Sequence, residues 1–277
     1  MTRAALALAL TSGLALAAGV AAPGQAWAQK VVAKDGHELP DWSGVWQMVG
    51  NTVFDQATKS PPNGVAGLPG TKEAVPYNAE WQKKYEANMA RVAVDRFPDP
   101  VTQCSTPSGW PRDLNTPDTN EFVVRPEQSW ILTENGPNVV RIYTDGRPHL
   151  SPDEIWPTYS GDSVGHWEGD TLVFDTIGVK GWPSQIIDRT GAMSSDKLHT
   201  VTRMRRVDDK TIEVDMTLDD PVAFTQPWHV VKRFRKLPDG SRAYDYVCAE
   251  NQRNVVTPSG KTLTLDTNGK PIDRDTN

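Results

Sequence analysis

Two short segments of this chain set an imidazole close to groups that can orient it. They are Asp145-Gly146-Arg147-Pro148-His149 and Ser195-Asp196-Lys197-Leu198-His199. A histidine oriented by a carboxylate titrates near neutral pH and serves as a general base. His199, with Asp196 three residues before it, has that composition. When a base removes a hydroxyl proton, a cation or hydrogen-bond donor must stabilise the charge that develops. Arg147 and Tyr143 supply such groups. Together they meet the needs of a general-base step that starts from a hydroxyl. Arg147 and His149, stiffened by Pro148, also suit the binding of a carboxylate or phenolate. Two plainer readings compete: Asp145 and Arg147 paired with each other across the turn, and His199 as a satisfied structural histidine.

The densest polar run is His166-Trp167-Glu168-Gly169-Asp170. Glu168-Gly169-Asp170 has the composition of a hairpin turn between strands 163–167 and 171–176. Period-two alternation then puts His166 and Trp167 on opposite faces, so only one of them faces the interior. His166 stays a candidate for substrate contact, with His149, Arg203, Trp182, Trp228 and Tyr246. His37 belongs to a polar lead-in, and His229 faces away from Trp228 by alternation. No G-x-S-x-G elbow, phosphate loop or dinucleotide fingerprint occurs. Cysteine and histidine spacing does not argue for a metal.

These residues need a scaffold, and the ends of the chain bound it. Residues 1–28 read as a cleaved export signal: Arg3, an apolar run of alanine and leucine, then Ala26-Trp27-Ala28. The expected mature protein is periplasmic or secreted, with no membrane insertion after cleavage. Removing Arg3 with the leader takes the net charge of −6 to −7. An acidic chain without a basic stripe argues against a nucleic-acid partner. In an oxidising compartment Cys104 and Cys248 most simply form one disulfide, worth about 4 kcal/mol for so long a loop. Of ten tryptophans, nine lie beyond the leader. They suit a Trp-rich core or an aromatic-lined cavity equally well.

The patterning predicts a single domain over residues 29–251, mainly β. Candidate strands are 42–48, 122–125, 129–133, 139–143, 163–167, 171–176, 199–207, 211–218, 228–235 and 243–248. Turn signals such as Pro238-Asp239-Gly240 separate them. Short connections imply antiparallel neighbours, and closure would remove exposed edges, so an antiparallel β-barrel of about ten strands is expected. Two long excursions, 144–162 and 177–197, should sit together at one open end. Residues 55–120 are a Pro- and Gly-rich insertion holding one helix from Asn78, its N-cap, with Trp81, Tyr85 and Met89 on one stripe. That insertion is a candidate lid. Residues 252–277 form a polar tail with a small hairpin at Thr262-Leu263-Thr264-Leu265.

Gly44-Val45-Trp46 resembles the G-x-W signature of lipocalin and calycin barrels. The resemblance implies a tryptophan closing one barrel end with a basic side chain over it, here Arg233 or Arg235. The order of Arg141-Ile-Tyr-Thr-Asp-Gly-Arg-Pro-His149, Gly161-Asp-Ser-Val-Gly-His-Trp-Glu-Gly-Asp-Thr-Leu-Val-Phe-Asp175, Ser195–His199 and Tyr246-Val-Cys-Ala-Glu-Asn251 resembles a large family of exported bacterial calycin-like proteins. Members are associated with breakdown of lignin-derived aromatic dimers as cofactor-free lyases on phenylcoumaran-type compounds. The resemblance thus implies a small aromatic partner. The 105–112 and 177–194 segments depart from the family pattern, which leaves substrate choice open. A carrier with the same barrel and no chemistry is the alternative.

Overall fold

A computed structural model describes residues 30–50, 54, 75–92, 100–101, 106–134, 138–188, 191–244, 254–256, 262–264 and 270. The leader, Cys104, Tyr246 and Cys248 lie outside the described residues.

Nine strands close into a barrel in chain order: β1 (Val45–Val49), β2 (Thr119–Val123), β3 (Gln128–Thr133), β4 (Asn138–Tyr143), β5 (Asp162–Glu168), β6 (Thr171–Ile177), β7 (His199–Asp208), β8 (Thr211–Asp219) and β9 (Trp228–Lys236). Closure is made by β1 against β9, from Trp46 opposite Lys236 to Val49 opposite Arg233. The mainly β, closed barrel expected from the patterning is the observed architecture. The first strand starts at Val45 rather than Trp42, because Gly44 sits at φ 107°, outside extended geometry. No tenth strand begins at Ala243 or Tyr244, and the rest of that segment is not described. In the tail, β11 (Thr262–Thr264) pairs back onto β10 (Asn254–Val256) as a separate two-stranded sheet.

One pair departs from the antiparallel expectation. β4 and β5 run parallel, with Ile142 opposite Ser163 and Tyr143 opposite Val164. A parallel neighbour needs a connection long enough to return the chain to its starting end. The 144–161 excursion is that connection.

Alternation sets two faces along each strand. On β7, Thr200, Thr202 and Met204 point inward and are fully buried, while Val201, Arg203 and Arg205 are exposed. The interior is filled by side chains: Trp46, Phe122 and Phe234 form one aromatic cluster, with centroids 6.2 and 5.3 Å apart. Trp42 and Trp167 extend it, 5.5 Å from each other. At the opposite end Trp110 packs on Phe174 and donates its indole N–H to Thr200 Oγ1 at 2.8 Å. The short 3-10 turn Arg112–Asn115 that follows Trp110 is buried throughout, so this segment plugs the barrel. Asp113 within it accepts hydrogen bonds from Ser108 and from Asn138 Nδ2, yet burial outweighs them and pushes its carboxyl up to about 6. Five tryptophans, Trp42, Trp46, Trp81, Trp110 and Trp228, are therefore core residues.

The side chain over Trp46 is Lys236, at 6.0 Å from the ring, and not Arg233 or Arg235. The reason is register. Positions 232, 234 and 236 share the inward face of β9, whereas Arg233 bonds Glu213 on the outside and Arg235 is exposed. Glycine suits position 44 because its φ of 107° is one that other residues rarely adopt.

Helix α1 (Ala79–Val92) begins as expected, with Asn78 Oδ1 accepting from the N–H groups of Glu80 and Trp81. Its buried stripe is Trp81, Tyr85 and Asn88 rather than Met89, which is exposed. Asn88 Nδ2 donates to Gly191 O at 3.2 Å, a polar contact that Met89 could not make. The helix leans on Tyr77 through Tyr85, and Tyr77 in turn packs on Phe224 and donates its hydroxyl to Met193 O. No described helix is long and apolar enough to cross a membrane.

Candidate functional site

The two excursions meet, as expected. Thr158 and Val179 form a parallel bridge, with Thr158 N–H donating to Gly178 O and Lys180 N–H to Thr158 O. The 144–161 strap thereby lies against the outer wall of β5 and β6 near the start of β5. Its histidine reaches two carboxylates that alternation has turned outward. His149 Nδ1 lies 2.8 Å from Asp162 Oδ2, and His149 Nε2 lies 2.9 Å from Asp175 Oδ2. Asp175 Oδ2 also lies 3.2 Å from His199 Nε2, at the start of β7. Asp162 further accepts the Leu150 N–H at 3.1 Å, which fixes the strap. The result is an alternating chain, Asp162–His149–Asp175–His199, running across three strands.

Burial grades along this chain. The side chains of Asp162 and His149 are 15% and 20% exposed, and those of Asp175 and His199 36% and 42%. Burial works against the charged form of His149, but carboxylates on both ring nitrogens outweigh it and raise the pKa above 6.5. His149 is thus held as a double donor. His199 uses Nε2 on Asp175, and its Nδ1 has no hydrogen-bond partner among the described residues.

The residues just before His199 line a groove made of two adjoining clefts, each of about 430 Å³. The nearer is lined by Ile155, Ile177, Asp196, Lys197 and Leu198, the residue before His199. The farther is lined by Trp81, Lys180, Trp182, Ser184 and Ser195. They meet at Pro157 and Asp196, which line both. Asp220 holds the groove edge: fully buried, it accepts the N–H and the hydroxyl of Ser195 at 2.6 and 2.8 Å.

The other candidates are dispersed. Arg147 closes on Asp145 through Nε and Nη2, holds its carboxyl down at about 2, and stacks 4.1 Å from the Tyr143 ring centre. The plainer reading of that turn is the observed one. Arg147 and Tyr143 therefore flank the Asp162 end of the chain, away from His199 Nδ1. Asp196 does not orient His199; it pairs with Lys197 at 3.4 Å, and Asp175 takes the orienting place. His166 and Arg203 share Glu168 on the exposed rim, at 3.1 and 2.7 Å. Trp228 is buried against Phe54 and Phe224. Of these candidates Trp182 and Asp196 line the groove, with Trp81.

Asp162, Asp175 and Lys180 were not singled out from sequence. A signal existed for the first two. With the hairpin turn at Gly169-Asp170, Asp175 falls opposite Val164 and Asp162 opposite Ile177, which puts both carboxylates on the outer face. Among the described residues no three His, Cys, Asp or Glu side chains are arranged to hold a metal ion.

No protein-family model matches the chain, and no curated protein matches it. Solved structures that match include a mutant of the fluorescent protein UnaG, at 13% identity over 52% of this chain and 90% of that one, with a TM-score of 0.26. The strand pairing defines a closed, mainly β barrel, and the side-chain contacts define an external carboxylate–imidazole chain on its wall.

Proposed function

We propose that the protein is an exported lyase that breaks a carbon–carbon bond of a small lignin-derived aromatic compound of phenylcoumaran type, without a cofactor. The observation that carries this reading is His199: one ring nitrogen lies on Asp175, the other has no partner among the described residues, and its chain neighbours Lys197 and Leu198 line a cleft. Asp175 fixes the tautomer with the proton on Nε2 and leaves Nδ1 as the acceptor, as an orienting carboxylate does in other base pairs. His149, a double donor to Asp162 and Asp175, holds Asp175 in place behind it.

The step balances with no co-reactant. His199 Nδ1 takes the proton of a primary hydroxyl, and the oxygen electrons form a carbonyl as the adjoining C–C bond breaks. The released pair forms a carbon–carbon double bond while the ring ether leaves as a phenolate. Lys197, whose exposed ion pair with Asp196 is weak, meets that developing charge, and the phenolate finally takes the proton from His199.

The test is conversion of a phenylcoumaran-type dimer by purified protein in the presence of a chelator, followed by aldehyde release and product absorbance. Wild type should turn over and Asp175→Asn should lose most of its rate. Full activity of Asp175→Asn, with an unchanged circular dichroism spectrum, defeats the assignment. A carrier without catalysis is the alternative, and it predicts bound aromatic ligand recovered unaltered.

A further inference from the structure

The groove carries a charge that the base reading does not use. Lys180 lines the cleft between Trp81 and Trp182, and it forms no ion pair among the described residues. Its ammonium sits 4.3 Å from the centre of the Tyr159 ring, an aromatic face in place of a counter-ion. Its backbone cannot drift: Lys180 N–H donates to Thr158 O, and Trp182 N–H to Ser194 O, both at 2.8 Å. Between them Gly181 is pressed so closely on Ser195 that a Cβ would meet its carbonyl carbon at 2.3 Å. Lys180 and Trp182 thus project from a braced segment. The acid lining both clefts is Asp196, and it is matched by Lys197. On a chain of net charge −6, the groove keeps one uncompensated cation beside two indoles.

We infer that this groove selects an aromatic carboxylate: Trp182 takes the ring, on a floor that the buried Trp81 edges, and Lys180 takes the carboxylate. The inference rests on the groove assigned above and names the class of molecule it accepts. An ammonium partly screened from water by aromatic faces gains more from a carboxylate than a fully solvated one does, while the ring gains from stacking. A neutral analogue of the same shape keeps the stacking and loses the charge.

The experiment uses the full chain carrying His199→Ala, so that binding is read without turnover. Vanillate and its methyl ester are titrated by isothermal calorimetry. The acid should bind more tightly by about tenfold, as one good charged contact gives. The preference should shrink as salt rises. Lys180→Gln should bring the ratio near one, and Lys180→Arg should keep part of it. Equal affinities for acid and ester, no binding of either, or a preference that survives Lys180→Gln each overturns the inference. The acid–ester comparison needs no Lys180 variant, so a folding defect there does not protect the idea. Failure of the lyase reading shows separately. Acid preference without cleavage of any phenylcoumaran dimer removes the chemistry and leaves the binding class, whereas cleavage without acid preference does the reverse.

Discussion

The outer wall of β5, β6 and β7 carries a histidine and its acidic partners at each end, and the two ends behave differently. At the rim, His166, Glu168 and Arg203 form a network with side chains 46% to 63% exposed. At the other end, His149 and Asp162 are 20% and 15% exposed, because the 144–161 strap lies over them. The residue types are the same and the hydrogen-bond lengths overlap. What differs is cover. In water a carboxylate and an imidazole gain little from each other, since solvent screens the pair and the side chains lose freedom. Under a strap, the same pair is held in one geometry and its partner proton is assigned. A surface ion pair becomes a relay when a second segment excludes part of the water.

That contrast is open to test, and the largest effect should fall on the groove side of the covered end. His199→Ala should lower kcat by about 10²- to 10⁴-fold, the range of a lost general base, in steady-state kinetics with the phenylcoumaran-type dimer. Retained turnover would mean that the covered chain is structural. Next comes stability. Asp162→Ala removes the acceptor for both His149 and the Leu150 N–H. It should destabilise the fold by about 2 kcal/mol in urea melts, as loss of a charged acceptor from covered donors does.

The third effect is a pH dependence. His149 has a folded pKa above its ordinary value, so the proton is bound more tightly in the folded chain. Its stabilisation is complete below the unfolded value, about 6.5, and fades as pH rises through the raised folded value. The melting-temperature gap between wild type and His149→Gln should therefore narrow from about pH 5 to about pH 9. A constant or widening gap would contradict a protonated bridge. The smallest effect is at the rim. Arg203→Ala and His166→Ala should leave the melting temperature unchanged within error, since Glu168 and its partners stay solvated. A drop there as large as that of Asp162→Ala would erase the contrast.

Much of the fold was legible because it depends on local rules. Nine of the candidate strands match β1 to β9 to within a few residues, since alternation and turn residues act over neighbouring positions. The same rule turned His229 away from Trp228, and put Trp167 and His166 on opposite faces. The Asn78 cap was legible for the same reason. The errors occur where distant segments compete for one place. Met89 and Asn88 are both near the helix stripe, and the Gly191 carbonyl, a hundred residues on, selects Asn88. Lys236 covers Trp46 because the β1–β9 pairing fixes the face of each basic residue on β9.

The candidate site divides along the same line. The sequence by itself determined that His149 and His199 sit at strand ends beside long excursions, and that their residue types suit proton transfer. It also determined which residues of a strand share a face, because that is a period-two property of the backbone. Only the tertiary structure decided that His149 folds back across β5 and β6, that Asp175 rather than Asp196 holds His199, and that Arg147 closes on Asp145 instead. The β4–β5 pairing is parallel, so the chain between them must return along the barrel's length, and that return path lays His149 on the carboxylates. No local pattern encodes that path, since it arises from closing the barrel.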